Sequence, residues 1–148
     1  MWNIIHILLG ALIGKEINSY FLVFIIALVT HFLLDHVPHW DGDYGKEGFF
    51  KGKGFNVRKG LILFYVCLFL IGAFITLKLT LKENNPRILF GALISASPDL
   101  ANLFYKNKNK YYQKYLNFHT KIQREARFLV GFPLQLLITL VLIFLLVR

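Results

Sequence analysis

Five apolar runs, at 4–14, 20–34, 61–81, 88–105 and 128–147, are separated by polar stretches, and this pattern predicts a bundle of helices. A membrane crossing needs about 20 apolar residues. The first run is short for that and fits a re-entrant or partly buried helix, or a span relying on local thinning of the bilayer. The second leads directly into His31-Phe-Leu-Leu-Asp35-His36-Val-Pro38-His39-Trp40-Asp41. The third is apolar on every side, and the fourth contains Ser95, Ser97, Pro98, Asp99 and Asn102. The last is the clearest transmembrane helix, with a kink expected at Pro133.

Between runs two and three, the loop 37–60 carries Gly42, Gly45, Gly48, Gly52 and Gly54, which argue against regular helix. The basic connector Lys106–Arg127 is studded with Tyr111, Tyr112, Tyr115 and Phe118. It reads as an amphipathic interfacial helix, tyrosines at headgroup depth and lysines toward phosphates. Small residues recur at helix-packing intervals: Gly10 with Gly14, Gly91 with Ser95, Ala92 with Ala96. The fold class expected is therefore all-α: one membrane domain, 1–148, of four to five membrane helices plus an interfacial helix.

Composition agrees with this reading. Of 148 residues, 56% are hydrophobic and 17% charged, and mean hydropathy is +0.54. A soluble domain of this length buries too small a share of its surface to hide so much apolar chain. Cys67 is the single cysteine, which excludes an internal disulfide or a cysteine-based zinc site. Met1-Trp2-Asn3 gives no basic start to a signal peptide, so the first run is expected to be retained.

The formal net charge of +9 is distributed unevenly. If all five runs cross, the loops 37–60 and 106–127 share one side with twelve Lys and Arg, against five on the other. The positive-inside rule then makes those loops cytoplasmic, with lipid bilayer and anionic headgroups as partners of the connector. Lysines beside tyrosines at a membrane boundary fit lipid better than nucleic acid, and an oligomer is compatible with the sequence. The same topology brings His6, His31, Asp35, Asp99, Asn102 and His119 to one membrane level.

His31 and Asp35, four residues apart, project from one helix face, and an imidazole with a carboxylate there can chelate a divalent ion such as zinc. A hydrogen-bonded His–Asp pair at a helix end reads equally well. Asp99, after Ser97-Pro98, can turn into the bundle if the helix breaks at the proline, cap a new helix, or pair with His31. His6 lies among Ile5, Ile7, Leu8 and Leu9, as a core histidine or a ligand; ionisable groups at such depth pair with one another, a cavity or a metal. His119 is an interfacial residue, a further ligand or a general acid. His36, His39, Asp41 and Asn102 are secondary candidates, and Trp40 is read as an interfacial anchor.

The motifs His6-Ile-Leu-Leu-Gly10 with Gly14, Thr30-His31-Phe-Leu-Leu-Asp35 and Ser97-Pro98-Asp99 resemble the predicted inner-membrane metal-dependent hydrolases. That family is similar in turn to zinc-dependent phospholipase C, an all-helical fold with His and Asp ligands. His31 to Asp41 also looks like the His-xxx-Asp…Pro-His-Trp-Asp signature of small bacterial membrane proteins. The family's second acidic position is absent, since Leu100, Ala101 and Asn102 follow Asp99. The resemblance implies one or two zinc ions held by His6, His31, Asp35 and Asp99, with His119 and Asp99 catalytic. The function expected is a metal-dependent hydrolase of a phosphoester or lipid at the cytoplasmic face of a bacterial inner membrane. Its rival is a non-enzymatic scaffold or complex subunit with structural or proton-handling His–Asp pairs.

Overall fold

The structure, a computed structural model, describes the backbone of residues 1–41, 55–101 and 109–148, and the side chains of all of these but 55–59 and 101. Six helices follow one another: α1 (Asn3–Glu16), α2 (Tyr20–Asp35), α3 (Phe55–Glu83), α4 (Pro86–Ala101), α5 (Lys110–Ile122) and α6 (Phe128–Val147). The described residues contain no strand, only an isolated bridge between His39 and Glu125. The all-α expectation is met.

The short first run is the centre of the bundle. Ile4, Ile5, Ile7, Leu8 and Ala11 are buried, and α1 touches α2, α3, α4 and α6. A helix apolar on every side suits that enclosed position. Its closest neighbour is α4, because glycines face the contact. A Cβ on Gly10 would fall 2.7 Å from Ser95 Cβ, and one on Gly14 would fall 2.6 Å from the Arg87 carbonyl carbon. The small-residue spacing therefore does bring two helix backbones together. Asn84 turns the chain from α3 into α4 at φ 48°, a left-handed conformation that asparagine tolerates.

Two helices, α3 from Gly60 and α6, are long and apolar enough to cross a membrane. Only 11% of the α3 window and 28% of the α6 window is buried within the chain. Their outward faces carry Leu63, Leu70 and Phe74, then Leu129, Leu137, Leu140 and Phe144, all exposed. α1, α2 and α4 have 14, 16 and 16 residues, so four or five crossings would require these shorter helices to cross as well.

Three local expectations change. α3 begins at Phe55, inside the stretch 37–60 read as loop, because helix propagates by backbone hydrogen bonds and does not stop where apolar side chains do. The loop glycines Gly42 to Gly54 lie outside the described residues. α4 runs through Pro98 to Ala101, so Asp99 sits in its last turn and caps no new helix. Trp40 is 3% exposed and meets Phe128 and Phe132 edge-on, which removes the interfacial-anchor reading. The helix α6 likewise continues through Pro133.

Candidate metal centre

Four helices deliver ionisable side chains to one point. α2 places His31 and Asp35 one turn apart, both fully buried. α4 adds Asp99 from its last turn, and α5 adds His119, the helix's single buried residue among those described. His31, Asp35, Asp99 and His119 each offer one ligand atom, and these atoms lie within 4.8 Å of one another. His119 Nε2 stands 3.1 Å from Asp35 Oδ2 and 3.6 Å from Asp99 Oδ1; His31 Nε2 stands 3.4 and 3.9 Å from the same oxygens. α1 contributes His6, whose Nε2 is 3.2 Å from Asp35 Oδ1 and 3.8 Å from Asp99 Oδ2.

Hydrogen bonding fixes how these groups present themselves. His31 Nδ1 lies 2.7 Å from the carbonyl oxygen of Ser95, which can only accept, so Nδ1 carries the proton. In the neutral imidazole Nε2 is then a bare lone pair aimed at the cluster, the orientation that metal-ligating histidines adopt. His119 Nε2 is 3.2 Å from that atom. Asp35 Oδ2 is buried and, among the described residues, accepts no well-aligned hydrogen bond. Buried polar atoms are normally satisfied. Two imidazole nitrogens and two carboxylate oxygens converging with unsatisfied lone pairs are a donor set that a divalent cation fits, zinc among them. Asp99 is 13% exposed while the other three are sealed, so access to the group is along the Asp99 side.

A second knot lies beside the first. The Met1 amino group donates to Asp35 Oδ1 at 3.1 Å, and lies 2.8 Å from His39 Nε2 and 3.5 Å from Asp41 Oδ1. His39 is buried, donates from Nδ1 to the Val37 carbonyl and faces Asp41 Oδ2 with Nε2 at 2.8 Å. Burial opposes ionisation of Asp41, but its hydrogen bond with His39 and the amino terminus prevail and hold the carboxyl below the usual carboxylate range. The chain after α5 is laced to this loop: His39 N donates to Arg124 O and Ala126 N to His39 O.

Of the residues expected from sequence, His6, His31, Asp35, Asp99 and His119 are gathered, and His39 and Asp41 lie adjacent. His36 is exposed at the end of α2 and points away from the cluster, because the helix turns it off the His31–Asp35 face. Asn102 lies outside the described residues. His119 is 1% exposed, so it is placed as a member of the ligand group and not at a solvent-facing rim.

Three contributors were not anticipated. Ser95 acts through its backbone carbonyl, to which any residue type would be equivalent. Tyr115 donates its hydroxyl to the Pro98 carbonyl at 3.0 Å and stacks on His119 at 5.9 Å between ring centroids. Burial, with the carboxylates of Asp99 and Asp35 nearby, pushes its phenol up to about 12, so it remains a donor. Gln135, buried in α6, accepts from Trp2 N and donates to Trp40 O. A lone amide in an otherwise apolar span was a legible signal for such a role. Comparison with family models, curated proteins and solved structures finds no match for the chain.

Proposed function

We propose that this chain is a membrane-embedded, metal-dependent hydrolase of a phosphoester or lipid substrate, of the kind its motifs resemble. The observation that carries this reading is the convergence of His31 Nε2, His119 Nε2, Asp35 Oδ2 and Asp99 Oδ1 inside 4.8 Å, with the His31 tautomer set by Ser95. One zinc ion would be held by these four groups, with His6 supporting Asp35 from the opposite side. Zinc supplies a Lewis acid for a phosphoryl oxygen and lowers the pKa of water toward neutrality.

The chain's own residues do the rest. Asp35 shares one oxygen between His31 and His119 and gives the other to His6, which fixes three rings around one carboxylate. Asp99, the partly exposed member, is the group that meets a substrate and can take up a proton there. The outward apolar faces of α3 and α6 support a bilayer setting, and the asymmetry of Lys and Arg supports a cytoplasmic position for the site.

The rival, a scaffold whose His–Asp contacts are purely structural, predicts groups sealed in separate pairs. Sharing of Asp35 among three histidines favours a common centre instead. Hydrolysis of a chromogenic phosphodiester and of phospholipid by the purified protein in nanodiscs tests the reading. Zinc-dependent turnover, abolished by Asp99→Asn and by chelation, is expected. No turnover with zinc, together with a melting temperature indifferent to chelator, would establish the scaffold reading instead.

A further inference from the structure

Resting on the metal-centre reading above, we infer that α5 is a lipid-sensing arm: its docking on an anionic membrane surface holds His119 in the metal centre and so couples headgroup binding to metal affinity. The helix is divided sharply by side. At 3.6 residues per turn, Lys110, Lys114 and Lys121, separated by four and seven residues, stack in one stripe, and His119 falls on the opposite side. All three lysines are exposed, whereas His119 is 1% exposed. The stripe is flanked by Tyr111 and Phe118, 80% and 54% exposed, the amphipathic and aromatic residues that settle at headgroup level.

The setting of the helix selects lipid as the occupant. α5 is followed after a short connector by α6, one of the two helices long and apolar enough to cross a membrane. Arg124 and Arg127, both exposed, lie in that connector, and Phe128, Leu129 and Val130 are exposed at the first turn of α6. The basic stripe therefore sits next to the point where an apolar surface begins, as a helix lying on an anionic leaflet requires.

The coupling follows from how weakly α5 is otherwise held. Whereas α1 buries nine residues, α5 buries His119 alone. Its remaining ties to the bundle are the Tyr115 hydroxyl on Pro98, ring contacts of Phe118 and His119 with Phe32, and the site itself. The other three ligands come from α2 and α4, which pack directly on α1. A surface that favours the docked position of α5 raises metal affinity, and bound metal must favour headgroup binding by the same factor.

The test is the zinc dissociation constant of the full chain in nanodiscs of phosphatidylcholine alone and of phosphatidylcholine with phosphatidylglycerol, for wild type and for Lys110→Gln/Lys114→Gln/Lys121→Gln. Anionic lipid concentrates zinc by itself, so the readout is the wild-type gain beyond that of the triple variant. About tenfold tighter binding in anionic discs is expected for the wild type, from three lysines near a charged surface, and is expected to be lost in the variant. Affinities in neutral discs should coincide, which shows that the variant retains its fold. Equal gains for both proteins would overturn the coupling while leaving the metal centre standing. Absence of zinc binding in either disc would overturn both. A gain produced by soluble RNA and not by anionic discs would assign the stripe to nucleic acid and overturn the inference.

Discussion

Asp35 serves two sides at once, with Oδ2 3.1 Å from His119 Nε2 and Oδ1 3.2 Å from His6 Nε2. Asp35→Asn keeps the shape but removes the charge that four positive or metal-binding neighbours require. Loss of even an outer partner of a metal ligand typically lowers affinity about 10–100-fold. Asp35→Asn should therefore weaken zinc binding by more than about 100-fold in a competition titration. Tyr115→Phe removes a single hydrogen bond to Pro98 and should cost about 1 kcal/mol in an unfolding titration. Asp41 governs a pH effect. Its folded-state carboxyl lies below the usual range, so its stabilisation is present above the unfolded value of about 3.9 and is lost as pH falls through the lower folded value. Asp41→Asn should remove that part of the acid-induced fall in melting temperature and leave the profile above pH about 5 parallel to wild type. Residue types told which side chains would gather, since His and Asp in apolar surroundings need partners. Ser95 was illegible because its contribution is a backbone oxygen, and Tyr115 because its partner is a carbonyl seventeen positions away.

The helices themselves were legible from apolar periodicity, and their contacts from glycine. Gly10 and Gly14 of α1 lie against the backbone of α4 at Gly91 and Arg87. Gly14→Val should force the two helices apart and cost about 1–3 kcal/mol or more, read as lower resistance to denaturant in detergent. Gly60 provides the matching control, because a Cβ there meets nothing within 4 Å. Helix limits were less legible. The start of α3 and the passage of α4 through Pro98 are decided by the continuity of backbone hydrogen bonding, which hydropathy does not record. Trp40 was misread because an aromatic beside polar residues has the same local pattern whether it lies at an interface or under α6. Only the close passage of its backbone over Gly131 distinguishes the two.

At the scale of the whole molecule, apolar side chains face outward along α3 and α6 while the buried polar groups concentrate between α1, α2, α4 and α5. The largest groove, about 430 Å³, lies at the other end of the bundle, lined by Phe74, Leu79 and Leu146, and shares nothing with the metal centre. Cys67 is free and exposed on the outward surface of α3. In intact membranes it should resist a charged maleimide and react fully once the protein is denatured in detergent; rapid labelling before denaturation would contradict a lipid-facing α3. The central claim is the shared centre of His31, Asp35, Asp99 and His119, and metal analysis of protein purified in detergent without chelators addresses it most directly. Close to one equivalent of zinc or another divalent transition metal per chain is expected, falling to background in His31→Ala and His119→Ala. Metal-free wild-type protein that also takes up no zinc on titration would contradict it.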